Sequence, residues 1–264
     1  MDKLKNISKI IRKKVIYLSH KAKTAHLASS LSCVDLIVTI YENFLNYNKK
    51  NKYNNIFILS KGHAAMTLYS ILNYKKIITN KSFESYSKKN SLLEEHPSHN
   101  IPGVHVATGS LGHGLSVGCG IALAYKLKNI KKKVYVIMSD GECNEGSTWE
   151  GLLFASANKL DNLIVIIDYN KWQATDRTDK ILKLGNLKKK LESFGFLSKE
   201  INGHNHKQIE NILKKNTINK PLGIVAHTIK GKGVSFMEDD NNWHYRSPNI
   251  KEYAEAINEI DNNK

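Results

Sequence analysis

Cysteine is scarce in this 264-residue chain. Cys33, Cys119 and Cys143 are the only three, and no two form a Cys-x-x-Cys pair. An odd count without paired spacing argues against a disulfide framework or a structural zinc site, and fits a reducing cytoplasm. Prolines number only four. No Pro/Gly/Ser-rich linker, internal repeat or low-complexity block divides the chain, so a single domain over residues 1–264 is expected. Long apolar runs are missing too: Leu163 to Ile167 is typical, far below the ~18 residues of a membrane span. Residues 1–14 carry many lysines but no apolar core or small-residue cleavage site of a signal peptide. The spacing there predicts a first helix with Ile7, Ile10, Ile11, Val15 and Leu18 on one face.

Arginine is the other shortage. Arg12, Arg177 and Arg246 are the only three among 40 basic residues, although the formal net charge is +16. Specific recognition of phosphates and bases draws on the planar Arg fork. Scattered lysines without it read as solvated surface, not as a nucleic-acid interface. Hydrophobic content of 41% is ordinary for a chain that buries a sizeable core.

What is present is a complete βαβ unit. Val134 to Met138 is short, β-branched and apolar, as a buried parallel strand should be. Ser147 to Lys159 has helical apolar spacing at Leu152, Leu153, Ala155, Ala157 and Leu160, with Ser147 placed to cap it. Leu163 to Ile167 is the returning strand. A crossover of this kind makes the strands parallel and puts Asp140 and Asn170, thirty positions apart, at the same carboxyl edge. One carboxylate and one amide oxygen there can share a hard cation, leaving positions open for phosphate oxygens and water. A Rossmann-like unit in which Asp140 merely caps the following turn has the same spacing.

Two other turns offer comparable chemistry. Gly109-Ser110-Leu111-Gly112-His113-Gly114 enters an apolar helix and can present backbone N–H groups to an anion. It can equally be a tight turn that packs the helix on the sheet. Gly62-His63 precedes a second helix, Ala64 to Leu72, where a neutral imidazole can donate to a phosphate oxygen or cap the helix.

These blocks resemble one family. Ser139-Asp140-Gly141, with Asn170 thirty positions on, is similar to the thiamine diphosphate fingerprint, Ser139 standing where Gly is usual. Leu59 to Ala64, Thr108 to Ser116, His96-Pro97 with Pro102-Gly103-Val104, Ala25 to Ser32, and Lys230 to Glu238 with Trp243-His244 resemble transketolase. They follow the family order across most of the chain. The resemblance implies an α/β fold, a parallel sheet flanked by helices on both faces, of the thiamine diphosphate-binding (diphosphate-binding domain) type. It implies thiamine diphosphate and Mg2+ as cofactors. Asp140, Asn170 and the main-chain carbonyl of Trp172 would be the metal ligands. His63, Gly109, Leu111, Gly141, Glu145 and Asn170 would line the cofactor, Glu145 at a subunit interface. His26, His96 and His244 would form the catalytic, substrate-facing set. His113 stands where the family often has Gln, and Trp243-His244-Tyr245 departs from Trp-His-Gly.

The same resemblance implies an absence. After Met237 only a polar loop and a helix over Lys251 to Ile260 are expected, with no second, pyrimidine-binding domain. The expected protein is therefore the amino-terminal subunit of a split transketolase of the pentose phosphate pathway. A C-terminal partner subunit would supply the catalytic Glu, in a heterotetramer of two plus two chains. Two-carbon ketol transfer between sugar phosphates is the expected reaction, an unusual sugar or a regulatory role the alternative. The remaining histidines, His20, His99, His105, His204, His206 and His227, read as surface or structural groups.

Overall fold

The computed structural model describes residues 2–45 and 54–262. A helical layer opens the chain: α1 (Asp2–Ala22), α2 (Leu27–Ser32) and α3 (Val34–Asn43). Strand β1 (Ile56–Leu59) follows, then α4 (Ala65–Tyr74), α5 (Asn80–Glu84) and α6 (His113–Leu127). Next come β2 (Val134–Ser139), α7 (Gly146–Ala157) and β3 (Leu163–Tyr169). The last third holds α8 (Thr178–Ile181), α9 (Leu187–Ser193), β4 (Leu197–Asn202), α10 (His206–Leu213), β5 (Leu222–His227) and α11 (Ile250–Asn262).

The five strands form one sheet in the order β1-β2-β3-β5-β4, every pairing parallel. Strands β1, β2 and β3 consist of branched, aromatic and other apolar residues along almost their whole length and are buried on both faces. Alternate strand residues enter two separate cores. Phe57, Leu59, Tyr135, Ile137, Ile164 and Ile166 face α1, α3 and α4, with α10 and α11 on the same side. Ile58, Val134, Val136, Met138, Val165 and Ile167 face α6, α7 and α9. Edge strand β4 is largely exposed and polar, which suits a strand with only one neighbour.

Register sets the functional edge. Ser139 pairs with Asp168, so Asp140 and Asn170 leave neighbouring strands at the same carboxyl end. Leu59 ends β1 two pairings from the end of β2, and Lys61 to His63 follow directly. The open end of a parallel α/β sheet is where loops can surround a ligand.

Several expectations shift. Ile10 is 39% exposed, because the buried face of α1 is turned away from it, toward Ser8, Arg12, Ile16 and Ser19. Helix α7 starts at Gly146, with Glu145 in the capping position, so Ser147 lies inside the first turn. Its residues Leu153 and Ala157 are exposed, since only Thr148, Gly151, Leu152 and Ala155 meet the sheet side. Helix α4 begins at Ala65, after a 3-10 turn over Gly62–Ala64. Two lysines overturn the reading of the lysines as solvated surface: Lys61 and Lys230 are buried. A buried ammonium needs a counter-charge or oxygen acceptors, and both have them.

Lys61 Nζ lies 2.5 Å from Asp168 Oδ2, with both side chains fully buried. It also donates to the Ser29 carbonyl at 2.9 Å and to Ser32 Oγ at 3.3 Å. Asp168 accepts from Ser32 Oγ at 2.6 Å and from Thr228 Oγ1. Burial alone would depress the Lys61 pKa; the Asp168 charge outweighs it and the net shift is upward. Lys61→Ala should cost about 3–5 kcal/mol, the penalty of leaving one buried charge unpaired. Lys61→Met combined with Asp168→Leu should cost clearly less than the sum of the single changes. Urea denaturation midpoints of Lys61→Ala, Lys61→Met, Asp168→Leu and the double variant check this coupling.

Candidate active site

Strand ends and the turns after them build the site. After β1, the chain turns at Ser60-Lys61-Gly62 into His63. Gly62 has no room for a side chain: a Cβ would lie 2.7 Å from the Gly109 nitrogen and the Thr108 carbonyl carbon. That close backbone approach brings the two glycine turns of the sequence together. Gly109 itself has φ +145°, and a Cβ on it would meet the His96 ring at 2.8 Å. The turn around Gly109 is thus pressed against His96, a contact that sequence spacing cannot show.

Four histidines converge here. The His26 ring centroid lies 5.5 Å from His63, 6.1 Å from His96 and 5.1 Å from His244. His63 and His244 are 6.3 Å apart. His26 adopts left-handed backbone, φ +68°, unusual for a residue other than glycine. Its N–H donates to the His244 carbonyl at 2.6 Å, so a strained turn is tied to the segment facing it. His244 is buried, and burial followed by the Lys230 charge pushes its pKa down to about 3. His63 reaches deep into the cleft with part of its surface open. Burial and the Lys61 charge hold its pKa well below the usual histidine value. Both rings are neutral near pH 7.

Lys230 was not singled out from the sequence as a site residue. Its Nζ is 2.6 Å from Asn241 Oδ1, 3.1 Å from the Gln173 carbonyl and 3.0 Å from His244 Nδ1. Whenever Lys230 is an ammonium, Nδ1 accepts from it and the neutral His244 ring carries its proton on Nε2. Burial, then repulsion by Lys61, lowers the Lys230 pKa to about 7. The only hint in the sequence was its place in the Lys230-Gly231-Lys232-Gly233 block.

At the ends of β2 and β3, Asp140 is buried and Asn170 nearly so. Asp140 Oδ1 accepts from the Gly141 N–H at 3.0 Å; Oδ2 accepts from the Lys171 N–H at 2.9 Å and Thr178 Oγ1 at 2.8 Å. Asn170 Oδ1 accepts from the Trp172 N–H at 3.0 Å. Burial, with Asp168 nearby, raises the Asp140 pKa to about 7. Among the described residues, no group of three or more His, Cys, Asp or Glu is arranged to hold a metal. One carboxylate and one amide oxygen at one strand edge instead fit a hard cation that shares its shell with phosphate oxygens.

Two further groups escaped the sequence reading. Glu142 is buried beneath the Gly109 turn and accepts from the Gly112 N–H at 2.9 Å, the Ser139 N–H at 3.3 Å and Ser60 Oγ. One carboxylate therefore ties the ends of β1 and β2 to the start of α6. Burial raises its pKa despite those donors. Arg177 stacks on Trp172, its guanidinium 3.8 Å from the ring centroid, and grips Asp239 with two contacts of 2.6 Å. Trp172 Nε1 donates to Asp239 Oδ1 at 2.8 Å. The segment after Asn170 is thus clipped to the loop that precedes His244. Leu111 is half-buried, and Glu145 is exposed at the capping position of α7.

The model of the transketolase thiamine diphosphate-binding domain matches residues 4–257. The chain belongs to the transketolase family. An apulose-4-phosphate transketolase subunit of Phocaeicola vulgatus is 36% identical over 94% of this chain and 90% of its own length. A 6-deoxy-6-sulfo-D-fructose transketolase subunit of a Clostridium species is 33% identical over 89% of this chain and 88% of its own. Human transketolase is 32% identical over 97% of this chain, which spans 42% of the human protein's length. The crystal structure of Campylobacter jejuni transketolase superposes with a TM-score of 0.93 at 27% identity, over 99% of this chain and 43% of that one. This α/β architecture is that of the family's thiamine diphosphate-binding domain.

Gly62→Ala tests the close approach of the two turns. Its Cβ must displace the Thr108–Gly109 backbone, at a cost of roughly 1–3 kcal/mol. Thermal denaturation should show the loss. Amide exchange should quicken selectively over residues 108–112, while the sheet stays protected.

Proposed function

We propose that the chain is the amino-terminal, diphosphate-binding subunit of a split transketolase, one domain working with a C-terminal partner subunit. Together they would move a two-carbon ketol unit from a ketose phosphate to an aldose phosphate. The observation that carries this reading is the meeting of His26, His63, His96 and His244 at the sheet edge that also bears Asp140 and Asn170. Coverage supports a separate partner: relatives named as subunits match this chain end to end, whereas full-length transketolases are more than twice as long.

Thiamine diphosphate, when bound, supplies a nucleophilic carbon and an electron sink for the transferred unit. The residues of this chain hold it and manage protons around it. Asp140, Asn170 and the Trp172 carbonyl would hold Mg2+, and Asn170, His63 and the Gly141 N–H would bind the diphosphate. The Gly109 and Leu111 backbone would line the cofactor's rings. His244, with its proton on Nε2, donates to a substrate oxygen, and His26 exchanges a proton with the same hydroxyl. His96, at the open mouth, binds the terminal hydroxyl of the donor. Glu145 meets the partner's catalytic Glu, in an assembly of two plus two chains working in the cytoplasm.

Exposed Val117 on α6, with Leu153 and Phe154 on the adjacent α7, leaves apolar surface for such a partner. Among the described residues no helix is long and apolar enough to cross a membrane. Relatives named for apulose-4-phosphate and 6-deoxy-6-sulfo-D-fructose favour a less common sugar as substrate. The basic surface favours an anionic one by electrostatic steering.

Ketol transfer should require thiamine diphosphate, Mg2+ and both subunits; activity of this chain alone would end the split-enzyme reading. Asp140→Ala should abolish Mg2+-dependent cofactor retention, followed by equilibrium dialysis, without unfolding the chain. His26→Ala and His244→Ala should each lower turnover by roughly 100-fold and leave cofactor affinity nearly unchanged. Loss of the cofactor instead would show that the division into cofactor and substrate sides is misplaced.

A further inference from the structure

His26 Nδ1 is buried and has no hydrogen-bond partner among the described residues. One acceptor stands within reach. Glu95 Oε2 lies 3.5 Å away, at ion-pair distance and at the outer limit of a hydrogen bond. The Glu95 side chain is 40% exposed and the His26 side chain 19%, so the carboxylate can swing while the ring is held. The ring's hold is unusual: φ +68° at His26, locked by the bond from its N–H to the His244 carbonyl. An orphaned buried nitrogen on a strained, fixed residue beside one mobile carboxylate is the arrangement to be explained.

We infer that Glu95 is a positioning residue: its carboxylate takes the His26 Nδ1 proton in a hydrogen bond and leaves Nε2 as the ring's open lone pair. Resting on the ketol-transfer reading, this makes His26 the proton acceptor of the pair. His244 is its complement, since Lys230 occupies His244 Nδ1 and leaves the proton on Nε2. One ring then accepts and the other donates, although the two are chemically identical and 5.1 Å apart. Proton balance is simple. A substrate hydroxyl loses its proton to His26 Nε2, giving an imidazolium whose Nδ1–H faces Glu95, and the proton returns when the hydroxyl is restored.

The groups facing His26 from the surrounding elements are Glu95 and His96 before the Gly109 turn, His63 at the entry to α4, and Lys230 and His244 from the loops beyond β5. Glu95 is the only anion in the set. Burial lowers the His26 pKa, His96 and Lys230 lower it further, and Glu95 opposes all three. Losing the Glu95 charge must therefore lower it again.

Two measurements test this on the full chain. In 15N-histidine NMR without partner or cofactor, wild-type His26, assigned with His26→Gln, should carry its proton on Nδ1. In Glu95→Ala the proton should move to Nε2, and in Glu95→Gln the His26 midpoint should fall by about one pH unit. With the partner subunit present, Glu95→Gln should move the acidic limb of kcat/KM to lower pH by a similar amount. It should also lower kcat roughly tenfold with KM little changed. An unchanged tautomer and midpoint, or an unmoved acidic limb in active enzyme, overturns the assignment. Absence of ketol transfer by the wild-type pair would instead sink the proposed reaction, and the NMR arm would still decide the Glu95–His26 pairing.

Discussion

The buried ion pair between Lys61 and Asp168 is the constraint on which the functional edge depends. Two full charges removed from water cost several kcal/mol each, recovered only with close approach and satisfied hydrogen bonds. Here those requirements reach across the fold. Lys61 follows β1, Asp168 lies in β3, and their remaining bonds run to Ser29 and Ser32 on α2 and to Thr228 beyond β5. Shifting any one of these elements would leave a charge or hydroxyl unpaired where no water can replace it. The same network holds α2, which His26 caps, against the strand ends that carry His63, Asp140 and Asn170.

Around that pair, polar groups act as ties between loops more than as catalytic equipment. Glu142 gathers the ends of β1 and β2 and the start of α6. Farther from the cleft, Asp35 joins Arg12 and His204, while His204 Nε2 accepts from the Ile229 N–H just before Lys230. Burial would raise the Asp35 pKa, but Arg12 and His204 outweigh it and hold the carboxyl well below its usual range. A site that must fix four imidazoles without fixing a ligand first needs such supports.

Much of this was legible in the residues. Apolar β-branched runs at Val134 and Leu163, with a helix between, determined the parallel unit and hence the shared edge of Asp140 and Asn170. Glycine-rich turns before two helices were visible at Gly62 and Gly109, though not that they press on each other. The misses have a common form. Ile10, Leu153 and Ala157 fit helical periodicity, yet exposure is decided by which side of each helix its neighbours cover. Lys61 and Lys230 looked like two of many lysines, because a buried counter-charge distant in sequence leaves no local mark.

The sequence by itself determined the central strand–helix–strand unit, the strand edge shared by Asp140 and Asn170, and the family blocks that contain the histidines. These rest on local patterns, namely side-chain period, glycine turns and the length of a crossover. Tertiary structure alone decided which histidines meet and which lysines lose water. Those properties depend on distances between residues up to about two hundred positions apart and on the low dielectric between them, neither of which is encoded in any single stretch of chain.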